Sequence, residues 1–287
     1  MALSLKHKIL KSSVGLAESL LRSVSKDTYF KVATTVLNDL NLDYEVQTKQ
    51  GPLLIYCNSE TVRARAEKML YREPETLTWI EGFAPDDVLC DIGSNIGVYT
   101  LYAAVVAKAR VIAFDPLPFN YAGLIRNITN NNLHDRVMAF CLALSDESKA
   151  APLFIPTAAD TPGGADCPFG ENVGNYEDSP VDAVYQMTAL GVSLDEFLAT
   201  FRVPFPNHIK MDIDGIQEKV IIGARKTLAD PRLKSAMLES TPVKGQSDFM
   251  MKEMQAAGLK RTRVAPSAPG GGTDPEKNAV NNFFERI

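Results

Sequence analysis

The sequence predicts an α/β protein with a largely parallel sheet covered by helices on both faces, and three observations support this class. From residue 87 onward, short apolar runs alternate with segments of helical periodicity. The helical segments have about ten or more residues, enough for the crossovers that join parallel strands and cover both faces of a sheet. The first apolar run ends in the loop DIGSNIG (residues 91–97), whose two glycines open a predicted helix.

Length, composition and charge narrow the function classes. With 287 residues, 45% of them hydrophobic, the chain forms one large domain or one domain with an appendage. The formal net charge of -5 argues against a broad nucleic-acid interface, which requires a basic patch. No apolar stretch approaches the roughly 18 residues that a membrane span needs.

The N-terminal segment and the cysteines indicate the cellular compartment of the protein. Residues 1–23 are mildly basic and amphipathic but lack the continuous apolar core of a signal peptide. They form either a helix on a membrane surface or, as the favoured interpretation, a packing helix that supports a homo-oligomer. The four cysteines have no metal-binding or redox spacing, and Cys90 and Cys141 lie in apolar runs typical of buried strands. We therefore expect a reduced, cytoplasmic protein.

Residues 1–80 are predicted to be an N-terminal helical appendage with a small hairpin. Apolar positions recur three and four residues apart over residues 1–42, which is the period of a helix. Two short strands are predicted within residues 44–57, around a Lys-Gln-Gly turn. Ser59 is a suitable N-cap for a helix over residues 59–70, and Pro74 suits the first turn of another over residues 73–83.

Residues 81–287 are predicted to form the main domain. Continuous apolar runs predict buried parallel strands, and apolar residues three and four apart predict the helices between them. The predicted strands are residues 87–92, 110–115, 136–144, 208–213, 234–240, 259–264 and 281–287. The predicted helices are residues 95–108, 119–131, 193–201, 216–229 and 246–257. An insertion at residues 150–190, rich in Ala, Pro, Gly and Asp, is too long for a simple connection, and we expect it to be an acceptor-side loop.

The loop at residues 91–97 lies at the carboxyl end of the first predicted strand, where open α/β sheets bind their ligands. A dinucleotide site requires G-x-G-x-x-G, but Asn95 occupies the place of the second glycine and Asp91 would repel a phosphate. A ligand with positive charge and no phosphate fits both departures, and S-adenosylmethionine has these properties. Asp115 follows Gly93 by 22 residues, the spacing expected of a carboxylate that receives ribose hydroxyls.

Five segments support a family resemblance: DIGSNIGVYTLYAA, VIAFDPLPFNYAGLIRNI, ALSDE, SLDEFL and IKMDIDGIQEKVIIGA. In this order they resemble the FkbM-type S-adenosylmethionine-dependent methyltransferases, and the resemblance covers residues 72–240. It implies a class I methyltransferase fold, which is Rossmann-like and has a seven-stranded sheet with one antiparallel strand. It also implies O-methylation, often of sugars or natural products.

The same resemblance implies a set of cofactor-binding residues. They are Asp91, Gly93, Ser94, Asn95 and Gly97 on the methionine side, Asp115 and Pro116 at the ribose, Leu142 and Ala143 at the adenine, and Glu75 of the REPET segment. Asp115 and Asp214 stand where the family more often has glutamate. The shorter side chain reduces the reach of Asp115 toward the ribose, and the change at Asp214 prevents a transfer of acceptor-site detail.

Methyl transfer to a hydroxyl needs alignment, exclusion of water and removal of a proton. The histidines are poor candidates for the base. His7 lies in the appendage, and His134 and His208 each precede a predicted strand, at the opposite edge of the sheet from the ligand. His208 is roughly 13 Å from Asp212 along the strand.

Acidic residues end the two strands that follow the insertion. Asp212 and Asp214 point the same way if the strand persists, and Glu239 is expected on the neighbouring strand. The cluster could act as a base with a raised pKa, or bind a divalent metal together with the acceptor oxygen, which is the less favoured alternative. Asp214 has the further alternative of capping the next helix. Lys210 either forms a structural ion pair with one of these acids, which is favoured, or orients the acceptor.

The sequence thus predicts an S-adenosylmethionine-dependent methyltransferase that acts on a hydroxyl of a sugar or small-molecule metabolite. Asp212, Glu239 and Lys210 are the catalytic candidates, and the partner is a small-molecule or glycan acceptor and not a nucleic acid. A nucleotide-dependent oxidoreductase is disfavoured by Asp91 and Asn95. A cofactor-binding module that has lost methyl transfer, and acts through its N-terminal helices, stays open as an alternative.

Overall fold

The computed structural model describes residues 5–156, 161–173, 180–213, 215–243 and 245–287, and the chain divides into two units, Met1–Leu42 and Asp43–Ile287. The first unit contains α1 (Leu5–Val24) and α2 (Lys26–Asp39). This agrees with the helical periodicity of residues 1–42. The Ser25 hydroxyl caps α2 by accepting the Thr28 N–H at 3.0 Å. Neither α1 nor any other helix in the described ranges combines the length and apolarity needed to cross a bilayer.

The division after Leu42 differs from the boundary predicted near residue 80. Strands β1 (Asp43–Thr48) and β2 (Gly51–Tyr56) form the predicted hairpin, followed by α3 (Glu60–Lys68) and α4 (Pro74–Glu81). The hairpin is joined to α6 (Pro118–Asn130) of the main domain, because Asn127 accepts the Tyr56 N–H at 2.7 Å. Leu77 and Ile80 of α4 lie in the main core. The hairpin and these two helices therefore belong to the second unit.

The second unit is built on a seven-stranded sheet. Its strands are β3 (Val88–Ile92), β4 (Arg110–Phe114), β5 (Val137–Phe140), β9 (His208–Met211), β10 (Ser235–Ser240), β11 (Leu259–Pro266) and β12 (Val280–Arg286). Their order is β11-β12-β10-β9-β3-β4-β5. Strand β12 is antiparallel to both of its neighbours, and the other adjacent pairs are parallel. The predicted mostly parallel sheet with one antiparallel strand is confirmed.

Helices cover both faces of this sheet, as predicted. Successive strand residues alternate between the faces, so Leu89 and Val111 join the core under α4, α5 (Val98–Val106) and α6. Cys90 and Ile112 join the core on the opposite face. The helices on that face are α7 (Leu194–Thr200), α8 (Gln217–Gly223), α9 (Arg225–Ala229) and α10 (Gln246–Ala256).

The third predicted strand, residues 136–144, is divided in the structure. Strand β5 ends at Phe140, and β6 (Ala143–Leu144) belongs to a separate three-stranded sheet with β7 (Lys149–Pro156) and β8 (Ala183–Val192). Cys141 is therefore exposed, contrary to the prediction that it lies in a buried strand. The insertion predicted as a loop is a long antiparallel β7–β8 hairpin at its base. Its inward-facing Leu153 and Ile155 are fully buried, which explains why this segment forms strands.

His208 lies at the amino-terminal edge of the sheet, on the opposite side from the ends of the strands that carry Asp212 and Glu239. Its ring stacks on Phe83, with 3.7 Å between the ring centroids. Nδ1 is 2.7 Å from the Ser235 hydroxyl, and Nε2 is 3.0 Å from Asp87. The predicted structural position of His208 is confirmed. Burial lowers the pKa of His208 to about 4, although Asp87 opposes this shift.

We expect His208 to make the folded state sensitive to acid. Below pH 6.5 the unfolded chain takes up a proton at this residue, whereas the folded chain does so only near pH 4. Stability attributable to His208 therefore falls as pH decreases from about 6.5 to about 4, by about 3 kcal/mol in total. Urea unfolding across this range should give a smaller pH slope for His208→Gln than for the wild type.

The test compares the pH slope of the unfolding free energy in the wild type with that in His208→Gln. Burial raises the pKa of Glu73 and of Asp91, so these acids contribute a pH dependence of the opposite sign in both proteins. His134→Gln, at an exposed position, is the control and should keep the wild-type slope. An equal slope in His208→Gln and the wild type would contradict the buried neutral histidine.

Candidate functional site

A cleft of about 360 Å³ opens at the carboxyl ends of β3, β4, β9 and β10. This is the edge of the sheet at which the sequence predicts ligand binding. The cleft is lined by six of the ten predicted cofactor residues and two of the three predicted catalytic residues. They are Gly93, Asn95, Asp115, Pro116, Leu142, Ala143, Asp212 and Glu239.

The glycines of the loop at residues 91–97 are required by close packing. Gly93 has φ +79°, and a Cβ atom there would lie 2.0 Å from the carbonyl oxygen of Asp212. Gly97 has φ +90°, and its Cβ would lie 2.4 Å from a Leu124 methyl group. Both conformations favour glycine. The loop therefore packs directly on the end of β9, so that the predicted cofactor and acceptor sides of the site touch through their backbones.

Asp115 ends β4 and organises the loop. One carboxylate oxygen accepts the Asn95 N–H at 2.8 Å, and the other accepts the Leu117 N–H at 2.9 Å. The carboxyl group is nearly buried, yet Asp115 lines the cleft. The sequence predicts a ribose ligand for this residue. The structure places it at the cleft wall and adds a second role, because Asp115 also fixes the backbone on both sides of the site.

The insertion contributes a wall of the cleft through the turn at residues 161–164. The Gly164 carbonyl accepts hydrogen bonds from Asn95 at 2.7 Å and from Asn120 at 3.1 Å. Asn120 also accepts the Gly163 N–H at 2.9 Å, and Arg65 donates to the Gly163 carbonyl at 2.8 Å. The sequence predicts that the insertion lies on the acceptor side. This turn instead contacts the loop that carries Asn95, so it lies on the predicted cofactor side as well.

Lys210 lies behind the cleft, in the interior of the sheet. Its side chain is fully buried, with Nζ 3.3 Å from Asp212 and 3.7 Å from Asp91. The ammonium group also lies 4.8 Å from the centroid of the Tyr99 ring. Lys210 does not line the cleft, and its contacts correspond to the favoured structural ion pair. The alternative that Lys210 orients an acceptor receives no support from this position.

The pKa of Asp212 does not agree with the alternative in which the acid cluster has a raised pKa. Burial alone would raise it, but the charge of Lys210 and its hydrogen bond lower the pKa of Asp212 overall. The contact with Glu239 also lowers the pKa of Asp212, after the larger effects of burial and Lys210. The two acids therefore form a pair in which Asp212 tends to stay ionised.

Four predicted cofactor residues do not line the cleft. Asp91 is fully buried and accepts a hydrogen bond from Thr100 at 2.6 Å. Ser94 is buried beside the loop, and its hydroxyl has no hydrogen-bond partner among the described residues. Gly97 is the N-cap of α5. Glu75 lies away from the cleft, with its carbonyl bonded to Arg263.

Glu73 is the acid of the REPET segment that lies beside the site. The Glu73 carboxyl group is buried and accepts a hydrogen bond from Asn281 at 2.9 Å. It lies close enough to Asp212 for the charge of Asp212 to affect the pKa of Glu73. Burial, and next the charge of Asp212, raise the pKa of Glu73. The sequence contains a signal for this placement, because Pro74 at the first helical position makes Glu73 the N-cap of α4.

Sequence reasoning also missed Asn120, Arg65 and Arg72, which line the cleft. Arg65 lies in α3 and Arg72 follows the end of that helix, so one helical pattern in the sequence does not indicate both. Asp214, predicted as a second acid or a helix cap, lies outside the described residues.

The order of the seven strands, the single antiparallel strand β12 and the cleft at the carboxyl ends define the class I methyltransferase fold. Residues 91–260 match the family described as "Methyltransferase FkbM domain". The chain belongs to this family, and the predicted resemblance is confirmed.

Two curated relatives share parts of the sequence. The hexuronic acid methyltransferase AglP of Haloferax volcanii is 30% identical over 149 residues, which are 52% of this chain and 54% of that protein. A tRNA(Phe) (4-demethylwyosine(37)-C(7)) aminocarboxypropyltransferase of Pyrococcus horikoshii is 38% identical over 56 residues, 20% of each chain. The chain thus spans about half the length of the first relative and less of the second.

A crystal structure of a methyltransferase FkbM from Methylobacillus flagellatus is also similar. It shares 14% sequence identity, with a TM-score of 0.48, and the match covers 70% of this chain and 44% of the other.

Proposed function

We propose that the protein is an S-adenosylmethionine-dependent methyltransferase that methylates a hydroxyl group of a sugar or small-molecule metabolite. One observation carries the proposal. The predicted cofactor residues Gly93, Asn95 and Asp115 line the same cleft as the predicted catalytic residues Asp212 and Glu239. A cofactor and an acceptor bound there would meet at the carboxyl ends of β3 and β9. Membership in the FkbM methyltransferase family supports the same reaction class.

The residues present fit the cofactor. A volume of about 360 Å³ lies in the range of small-molecule sites. Gly93 lines the cleft, and the buried Ser94 hydroxyl lacks a partner in the described part of the chain. Asp115 would hold the ribose hydroxyls, with Leu142 and Ala143 along the adenine. The cofactor supplies an electrophilic methyl group on a sulfonium.

A dinucleotide-dependent oxidoreductase fits this cleft less well. The position of the second glycine in a dinucleotide loop is occupied by Asn95, whose side chain is bonded to the Gly164 carbonyl. The Asn95 N–H, which would face a pyrophosphate in such a loop, donates instead to Asp115. A phosphate at this place would meet a carboxylate and not a backbone donor.

Deprotonation of the acceptor hydroxyl is assigned to the Asp212–Glu239 pair. The hydroxyl proton would pass to a carboxylate oxygen of the pair, and the acceptor oxygen would receive the methyl group that the bound cofactor supplies. Lys210 contributes indirectly, because its charge keeps Asp212 ionised and fixes the direction of its carboxylate.

The acceptor class is supported by one relative. AglP of Haloferax volcanii is named a hexuronic acid methyltransferase, and a hexuronic acid is a sugar with several hydroxyl groups. A small hydroxylated acceptor of this kind also fits a cleft that must hold the cofactor at the same time. We expect no nucleic-acid substrate, because the net charge of the chain is -5.

Calorimetric titration tests the cofactor assignment. S-adenosylmethionine and NADH are titrated separately into the purified protein, whose folded state is checked by circular dichroism. We expect micromolar binding of S-adenosylmethionine and no binding of NADH. Binding of NADH, or no binding of S-adenosylmethionine by folded protein, would contradict the proposal.

A module that binds the cofactor without transferring its methyl group is the second candidate, and binding alone does not separate it from an enzyme. Turnover with radiolabelled cofactor and a panel of sugars and hydroxylated metabolites makes the distinction. Enzymatic activity predicts label in at least one acceptor and a loss of that label in the Asp212 variant described below.

A further inference from the structure

Two arginines, Arg65 and Arg72, line the same cleft as Asp212 and Glu239. Arg65 lies in α3, and Arg72 lies in the helical turn that follows, where its N–H donates to the Lys68 carbonyl at 2.9 Å. Both arginines therefore contribute positive charge to the cleft that contains the proposed acceptor site.

Three acids of the cleft, Asp115, Asp212 and Glu239, are engaged by groups of the protein itself. Asp212 pairs with Lys210 at 3.3 Å and forms a hydrogen bond with Glu239. Asp115 accepts two backbone N–H groups, from Asn95 and Leu117. These contacts reduce the negative charge that the cleft presents to a ligand.

Arg72 has little internal counter-charge. In the described part of the chain its ion pair is with Glu73, at 3.9 Å. Burial, and next the charge of Asp212, raise the pKa of Glu73, which weakens this carboxyl as a counter-ion. The Arg72 side chain is 43% exposed, so its guanidinium is accessible to a ligand that enters the cleft.

Arg65 is held against the wall of the cleft. Its Nε donates to the Gly163 carbonyl at 2.8 Å, which keeps the guanidinium beside the turn at residues 161–164. Its charge also reaches Asp212, where it makes a small contribution to the lowered pKa after the larger effects of burial and Lys210. Arg65 thus adds positive potential between Arg72 and the reacting end of the site.

We propose that Arg72, with Arg65 beside it, binds an anionic group of the acceptor, a carboxylate or a phosphate, while the hydroxyl to be methylated lies at Asp212 and Glu239. The inference rests on the proposed function, because it assigns the second contact of the same acceptor. A guanidinium donates two parallel N–H bonds to a carboxylate or a phosphate, which fixes the orientation of the ligand as well as its position.

Binding of three sugars by calorimetry at low salt tests this assignment, with the protein alone and with the protein saturated with S-adenosylhomocysteine. The probes are D-glucuronate for a carboxylate, D-glucose 1-phosphate for a phosphate, and methyl D-glucoside as the neutral sugar. We expect at least one anionic probe to bind about tenfold or more tightly than the neutral sugar. The tighter of the two anionic probes identifies the source of the negative charge.

Variants of Arg72 assign the effect to this side chain. Arg72→Gln should reduce the preference for the anionic probe by about tenfold or more, and Arg72→Lys should restore part of it, because lysine keeps the charge but not the planar fork. Arg63→Gln is the matched control. Arg63 lies in α3 together with Arg65, pairs with Glu60 and does not line the cleft, so this variant should bind like the wild type.

Equal binding of charged and neutral probes, no binding of any probe, or an unchanged preference in Arg72→Gln would overturn the inference. S-adenosylmethionine binding is measured on the same preparations and should be the same in wild type and Arg72→Gln. An Arg72-dependent anion preference without cofactor binding would contradict only the proposed function. Cofactor binding without that preference would contradict only the anionic acceptor.

Discussion

Asp115→Ala is expected to weaken S-adenosylmethionine binding by at least about 100-fold. In the proposed site this carboxylate receives two ribose hydroxyls, and a hydrogen bond to a charged group contributes about 1.5–3 kcal/mol. Alanine also leaves the Asn95 and Leu117 N–H groups without their acceptor. The loss of binding therefore includes a contribution from a less ordered loop, and calorimetry of wild type and variant measures the total.

Asp195→Ala is the control that separates these contributions. Asp195 accepts the backbone N–H groups of Lys226 and Thr227 at 2.9 and 2.8 Å, and it does not line the cleft. The Asp195→Ala variant thus also leaves two backbone N–H groups without their carboxylate acceptor, but away from the proposed ligand. We expect a comparable fall in the urea midpoint in both variants, but a loss of cofactor affinity only in Asp115→Ala. Unchanged affinity in Asp115→Ala would remove the ribose assignment.

Asp212→Asn is expected to reduce turnover by about 10²- to 10⁴-fold, the usual contribution of a positioned acid or base. Asparagine keeps the size of the side chain and an oxygen that accepts a hydrogen bond from Lys210, but it cannot take up the acceptor proton. Cofactor affinity should be unchanged, because Asp212 lies at the proposed acceptor side. The measurements are single-turnover methyl transfer and calorimetry on the same preparation.

Asp87→Asn provides a buried acid for comparison. Asp87 pairs with Lys234 at 2.6 Å and contacts His208, at the edge of the sheet opposite the cleft. Its substitution removes a buried charge in the same way but should lower stability without a specific loss of turnover. If Asp212→Asn retained wild-type turnover, the proton would have to be accepted elsewhere, and Glu239 would be the next residue to test.

The sheet was predictable from the sequence because its strands are buried on both faces. Short apolar runs such as those within residues 110–115 and 136–144, separated by helical segments, permit few other arrangements. The position of the cleft followed from the same pattern, since the carboxyl ends of parallel strands meet at one edge. Gly93, Asn95 and Asp115 were therefore placed at the cleft without knowledge of any distance.

Other features depend on contacts between distant parts of the chain. The hairpin at residues 43–56 joins the main domain through asparagines of α6, and no local pattern reports that contact. The β7–β8 strands were missed because Pro and Ala weaken a strand pattern that only the burial of Leu153 and Ile155 stabilises. The lowered pKa of Asp212 arises from Lys210, two residues away on the same face. The sequence favoured this ion pair, but it did not indicate that the charge of Lys210 would outweigh the effect of burial on the pKa.

The contact between Gly93 and the Asp212 carbonyl bears on how the G-x-x-x-G spacing is used as a signature. A Cβ atom at position 93 is excluded by the backbone of β9, at 2.0 Å, and not by a ligand. At position 97 it is excluded by Leu124. Selection for folding alone would therefore preserve both glycines, even in a descendant that had lost its cofactor. The two glycines mark the packing of neighbouring segments, and evidence of catalysis has to come from side chains that the fold does not need.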